Sequence, residues 1–215
     1  MKVLSIEGIK GTGKSTIVTK IQENYFIRKI EKFTKGINNL PYFLTVFREE
    51  HKDYFYNADS SLALGFYANF FNRLAEIRES EIVIFERGLL SLPCSGLYGY
   101  YTSQEKISFD QYCNVALSLY NLALERYRRL ERETLFLIVE CTKGTVLDRL
   151  RYRAIKKQSD KLFLDKMDSY IHLQRLAEDM SMETLARSNF LRLRNESPQD
   201  LEDIVKTAEI MLQEN

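Results

Sequence analysis

The chain has 215 residues, with 31 Lys plus Arg against 30 Asp plus Glu, three cysteines and no Trp. Nine glycines and three prolines make 12 of 215 residues, about half the usual share. That excludes collagen-like, low-complexity and long-linker architectures. It favours long helices around one substantial core and a single α/β domain over 1–215. A formal net charge of +1 argues against a broad surface for duplex nucleic acid, so no stable nucleic-acid complex is expected.

The first element expected is a strand over 2–6 (KVLSI), which runs into a glycine loop. Ile17, Val18 and Ile21 then form a helical stripe over 14–24. Alternation over Tyr25 to Phe33 predicts a second strand. Leu40 to Phe55 reads as an aromatic-rich helix with Pro41 near its start, and Ser60 and Ser61 can cap a helix to Glu79. Glu81 to Phe85 (EIVIF) is a compact buried strand. Ser108 to Glu133 is a long amphipathic helix. Leu135 to Glu140 (LFLIVE) has the continuous apolar run of a parallel strand covered on both faces. A helix over 143–154, a polar loop over 156–161 and a helix over 162–187 follow. A short strand over 190–193 and a final helix opened by Pro198 complete the chain. Strands alternating with helices predict a doubly wound parallel sheet, with ligands beyond the carboxyl ends of its strands.

Six of the nine glycines fall in two windows, 8–13 and 88–99, and each follows a predicted strand. Gly8-Ile9-Lys10-Gly11-Thr12-Gly13-Lys14-Ser15 satisfies G-x-x-x-x-G-K-[ST] at every fixed position. Glycines let successive N–H groups form an anion nest, and the following helix adds its N-terminus. ATP is the expected ligand of Gly8, Lys10, Gly11, Thr12, Gly13, Lys14, Ser15 and Thr16. Lys14 would reach the β- and γ-phosphates, and the Ser15 hydroxyl would hold Mg²⁺. In the second window Glu86, at a strand end, is the second expected Mg²⁺ ligand. Arg87 has the donor fork to hold a substrate phosphate or orient a reactive oxygen. The bland alternative for Glu86 and Arg87 is a surface ion pair of little consequence.

Six basic residues stand between Arg149 and Lys161, with Asp160 the sole acid. They read either as a lid that places positive charge around a transferring phosphoryl group or as a solvated helix end. Arg149 and Arg153 lie one helical turn apart on one face. His51 and His172 have no partners at metal or triad spacing, and Cys94, Cys113 and Cys141 read as reduced thiols. No apolar run is long enough to span a membrane, so a cytoplasmic protein without a membrane partner is expected.

Several of these segments resemble one superfamily. Val83-Ile84-Phe85-Glu86-Arg87-Gly88-Leu89-Leu90-Ser91 is similar to the "FERS..S" segment of deoxynucleoside kinases and the "DRY..S" segment of thymidylate kinases. Ser95-Gly96-Leu97-Tyr98-Gly99 resembles the "AYQG" stretch of thymidylate kinases. Ile6-Glu7-Gly8 matches the "EG" that opens both phosphate loops, and Val146 to Arg153 resembles the "L.RI..R" stretch before their lid. The resemblance implies a five-stranded parallel sheet flanked by helices, a short lid, and ATP as donor. It implies a nucleoside or nucleoside monophosphate as acceptor, and a homodimer on helices 60–79 and 108–133. It makes Glu86 the Mg²⁺-linked acid, Arg87 the acceptor-side arginine, and Arg149 and Arg153 the lid arginines. Arg73, with Asn69 and Tyr98, stands on the acceptor side.

The chain departs from those families at three places. Glu31-Lys32 replaces the Glu-Pro that usually ends the second strand, so Glu31 is either the carboxylate that takes the acceptor hydroxyl's proton or an exposed structural residue. Lys10 stands where thymidylate kinases carry Asp, which weakens the case for dTMP. Gly11 leaves the loop without an arginine, so the lid must supply that charge. Two other readings share the phosphate loop: a kinase of another small metabolite, and a non-catalytic nucleotide-binding switch. The switch lacks an N-K-x-D guanine signature, and a silent binding protein has no use for Glu86, Arg87 and the lid arginines together.

Overall fold

The computed structural model describes residues 2–34, 44–47, 82–102, 107–129, 134–154, 158–185 and 190–213. Along these the order is β1 (Lys2–Glu7), α1 (Lys14–Thr34), β2 (Leu44–Phe47) and β3 (Ile82–Glu86). A single 3₁₀ turn (Leu89–Ser91) leads into α2 (Leu92–Ser95), α3 (Leu97–Thr102) and α4 (Phe109–Arg129). Then come β4 (Thr134–Glu140), α5 (Lys143–Ala154), α6 (Gln158–Asp165), α7 (Met167–Thr184), β5 (Phe190–Arg194) and α8 (Pro198–Gln213).

The five strands form one parallel sheet in the order β2-β3-β1-β4-β5. The expected five-stranded parallel sheet is therefore present. Its two faces are both dry, and strand alternation explains how. Val3, Val83, Phe85, Phe136 and Ile138 point to one face, where α4 supplies Tyr120, Ala123, Leu124 and Tyr127 and α7 supplies Ala177. Leu4, Ile6, Ile84, Leu137 and Val139 point to the other, against Ile17, Val18 and Ile21 of α1 and Ile204, Val205 and Ala208 of α8. Strands buried on both faces need apolar residues at every position, which is why LFLIV and IVIF show no polar alternation. With β1 central, the 8–13 loop leaves the sheet edge between the ends of β3 and β4, and the chain runs to opposite sides of β1 from there.

Four sequence expectations are corrected. Residues 25–33 are not a strand, because α1 continues unbroken to Thr34. No Gly or Pro interrupts 14–34, and Phe26, Ile30 and Phe33 also recur at i, i+4 and i+7, so the helix already under way extends. The second strand is Leu44–Phe47, inside the stretch expected to be an aromatic helix. Residues 158–161 open α6 rather than a loop. The helix expected over 162–187 is two helices that break at Lys166 (φ −120°, ψ 17°). Phe163 of α6 and Met167 of α7 pack together on Val146 and Leu150 of α5, and that contact holds the break in place. The expected helix over 60–79 lies outside the described residues. No helix among the described residues is long and apolar enough to cross a membrane.

Candidate functional site

The 8–13 loop joins β1 to α1 through three glycines with positive φ, 134° at Gly8, 92° at Gly11 and 94° at Gly13. At Gly8 the requirement is double. The backbone is left-handed, and a Cβ there would strike the Val139 carbonyl oxygen of β4. Ile17 N–H donates to the Gly13 carbonyl at 3.1 Å and opens α1.

The loop's carbonyls are held by side chains of the loop and of its neighbours. Lys14 Nζ and Thr12 Oγ1 donate to the Ile9 carbonyl at 2.6 and 3.0 Å. Arg149 Nη1 lies 3.4 Å from the Gly11 carbonyl, and Asn195 Nδ2 donates to the Thr12 carbonyl at 2.7 Å. All the described peptides are trans, so C=O and N–H of each point opposite ways. Anchoring the Gly11 and Thr12 oxygens toward α5 and β5 therefore turns the Thr12 and Gly13 N–H groups away from those elements. Asn195 is itself buried and fixed by its own N–H to the Glu140 carbonyl at 2.8 Å. Lys14 is buried to 4% exposure, whereas Ser15 and Thr16 are exposed and Lys10 half-buried.

Ser15 Oγ donates to Glu86 Oε1. These residues are 71 apart in sequence, and the sheet brings them together because β3 pairs directly with β1, with Ile6 beside Glu86. A hydroxyl and a carboxylate are hard oxygen donors, and together they fit a divalent cation of the magnesium type. Among the described residues no three Asp, Glu, His or Cys side chains gather, so the rest of such a cation's shell would be water and phosphate. Arg87 follows with φ 62°, the one described non-glycine residue in left-handed backbone, and its N–H donates to the Ile6 carbonyl at 3.0 Å.

Glu7 escaped notice as a site residue. It is fully buried at the end of β1 and bonded to the segment that follows Arg87. Burial pushes its acid constant up, while the hydroxyls of Ser5 and Ser91, the Leu90 N–H and the charge of Lys14 oppose that shift. The Ile6-Glu7-Gly8 match and a lone carboxylate closing a buried apolar strand were the available signals. Asn195 and Cys141 were also missed, and nothing local marks them. Cys141 Sγ lies 2.9 Å from the Asn195 carbonyl and 3.2 Å from Arg149 Nη1. Burial pushes its thiol up, and Arg149 opposes that.

Lys14, Ser15, Glu86 and Arg149 thus meet around one loop. Arg153 lies on α5 one turn beyond Arg149, its backbone on the expected helix. Glu31 does not end a strand; it lies near the C-terminus of α1. Tyr98 lies on α3. The side chains of Arg153, Glu31 and Tyr98, and the whole of Asn69, Arg73 and His51, lie outside the described residues. His172 is exposed and stands 6.4 Å from the Phe109 ring, centroid to centroid.

No family model matches the sequence, and no curated protein matches it. Solved structures do match its fold from end to end. A deoxyadenosine kinase from M. mycoides, with the products dCMP and a flexible dCDP bound, is 18% identical with a TM-score of 0.56, covering 100% of this chain and 99% of its own. With dATP bound, that kinase is 19% identical with a TM-score of 0.55, and 99% of each chain is covered. A thymidylate kinase from Ehrlichia chaffeensis is 16% identical with a TM-score of 0.52, covering 99% of this chain and 98% of its own. The chain therefore has the fold of the P-loop nucleoside and nucleotide kinases.

Proposed function

We propose that the protein transfers the γ-phosphoryl group of ATP to a nucleoside or a nucleoside monophosphate. The observation that carries this reading is the contact of Ser15 with Glu86 beside a glycine loop whose carbonyls are tied back. That carboxylate equips the loop to hold a nucleotide together with a divalent cation, as phosphoryl transfer requires. The fold shared with deoxyadenosine and thymidylate kinases supports the same class of acceptor.

In this mechanism the N–H groups of the 8–13 loop and the start of α1 cradle the phosphates of ATP. Lys14 exchanges its hold on the Ile9 carbonyl for the β- and γ-phosphates. Ser15 and Glu86 hold Mg²⁺, whose charge offsets that of the phosphates. Arg87 orients the acceptor, and Arg149 and Arg153 neutralise charge on the transferring group. Lys10 and Thr16 flank the phosphates, and Arg73, Asn69 and Tyr98 line the acceptor side. Transfer is in line, driven by positioning and charge rather than by a covalent intermediate. Glu31, on a helix, is no longer a candidate for the strand-end carboxylate. The enzyme works as a cytoplasmic homodimer through α4, where Val115 and Leu122, seven residues apart, are 52% and 68% exposed.

An acceptor screen tests the reading. Purified protein, ATP and Mg²⁺ are offered each common nucleoside and monophosphate, with ADP release as readout and Lys14→Ala as control. Stimulation by none of them, or ADP release that survives Lys14→Ala, refutes it.

A further inference from the structure

Glu7 lies outside the phosphate-loop pattern, yet its carboxylate accepts four hydrogen bonds. Oε1 accepts from Ser5 Oγ at 2.6 Å, Gly88 N at 3.0 Å and Leu90 N at 3.2 Å, and Oε2 accepts from Ser91 Oγ at 2.6 Å. Three of those donors belong to 88–91, immediately after Arg87. Left-handed backbone at an arginine is unfavourable and persists only where its surroundings impose it. Here β1 imposes it from two points. The Ile6 carbonyl takes the Arg87 N–H, and Glu7 takes the next segment. Gly88 has no room for a side chain, because a Cβ would strike Ser5 Oγ. Burying a carboxylate without an ion pair in contact is costly, and a shape-matched apolar residue would avoid that cost. An apolar residue would leave the Gly88 and Leu90 N–H groups without their acceptor.

We propose that Glu7 is a positioning residue for Arg87. It locks the turn that sets the direction in which the Arg87 side chain leaves β3, and so ties the acceptor side to the residue that opens the phosphate loop. The kinase reading enters only through the activity measurement.

The test is Glu7→Gln, which keeps the shape of the side chain and one acceptor oxygen but removes the charge. The variant is expected to keep its helical content by circular dichroism and to bind a fluorescent ATP analogue within about threefold of the wild type. Turnover is expected to fall by about tenfold or more. In an Arg87→Ala background the same change is expected to alter turnover by less than about twofold, because both substitutions act on one turn. Amide hydrogen exchange at Gly88 and Leu90 is expected to accelerate by about tenfold. Equal losses of turnover in both backgrounds, or unchanged turnover, overturn the proposal. Should Glu7→Gln fail to fold, Ser91→Ala removes one of the four donors and carries the same expectations at about threefold. A wild type that phosphorylates nothing in the acceptor panel refutes the kinase reading instead. The Glu7 proposal then stands on faster exchange at Gly88 and Leu90, and falls if exchange there is unchanged.

Discussion

Asn195→Ala removes the amide that ties the Thr12 carbonyl to the end of β5. The hydrogen bond is short at 2.7 Å and the asparagine is 3% exposed, so water does not replace it. A neutral hydrogen bond nets about 0.5–1.5 kcal/mol, and a buried carbonyl left without its partner raises the loss to about 1–3 kcal/mol. Cys141 Sγ, 3.8 Å from the same oxygen, is a weak donor and offsets little of it. We therefore expect about 1–2 kcal/mol, to be read in two places. Thermal unfolding reports the part lost by the fold. Calorimetric ATP binding reports the part that had oriented the Thr12–Gly13 peptide, expected at about 1 kcal/mol, which is about a fivefold rise in Kd. An ATP Kd within about twofold of the wild type, with the stability loss present, would refute the claim that Asn195 sets the direction of the Gly13 N–H.

Arg153→Ala should lower turnover by about tenfold or more while leaving ATP affinity nearly intact, since a lid arginine acts on the transferring group. Unchanged turnover removes it from the mechanism. At the start of α8, Ser197 and Asp200 cap the helix reciprocally, with Ser197 N–H on Asp200 Oδ2 at 2.9 Å and Asp200 N–H on Ser197 Oγ at 3.1 Å. Ser197→Ala should cost about 1 kcal/mol in denaturant unfolding. Backbone N–H groups hold the Asp200 carboxyl below its ordinary value of 3.8, and Thr145 and Thr142 hold that of Glu196 below 4.5. Acids with depressed constants stabilise the fold above their unfolded values and lose that contribution as pH falls through the folded ones. Asp200→Asn should thus be less stable than the wild type near pH 7, with the gap narrowing as pH falls below 3.8. A gap that persists in acid contradicts this. For the dimer, light scattering should give twice the monomer mass for the wild type and a monomer for Leu122→Glu. A monomeric wild type rules out the α4 interface.

Short-range pattern was sufficient wherever adjacent residues carry the physics. The phosphate loop, its flanking strand and helix, the dry strands EIVIF and LFLIVE, and the start of α8 at Pro198 were all legible. A glycine nest, an all-apolar run and a helix-opening proline each act over a few residues. The reading failed at 25–33 and 158–161, where alternation and polarity competed with helix propagation and with the packing of Phe163. The strand expected to end at Glu31 is lost with the first of these, because α1 runs on to Thr34 and β2 forms later in the chain.

Only the tertiary structure could join Ser15 to Glu86, Asn195 to Thr12 and Glu7 to the turn after Arg87. The strand order, with β1 between β3 and β4, brings those distant residues to one edge. Burial then makes the polar groups of Asn195 and Glu7 find their partners, since any left unpartnered there is expensive.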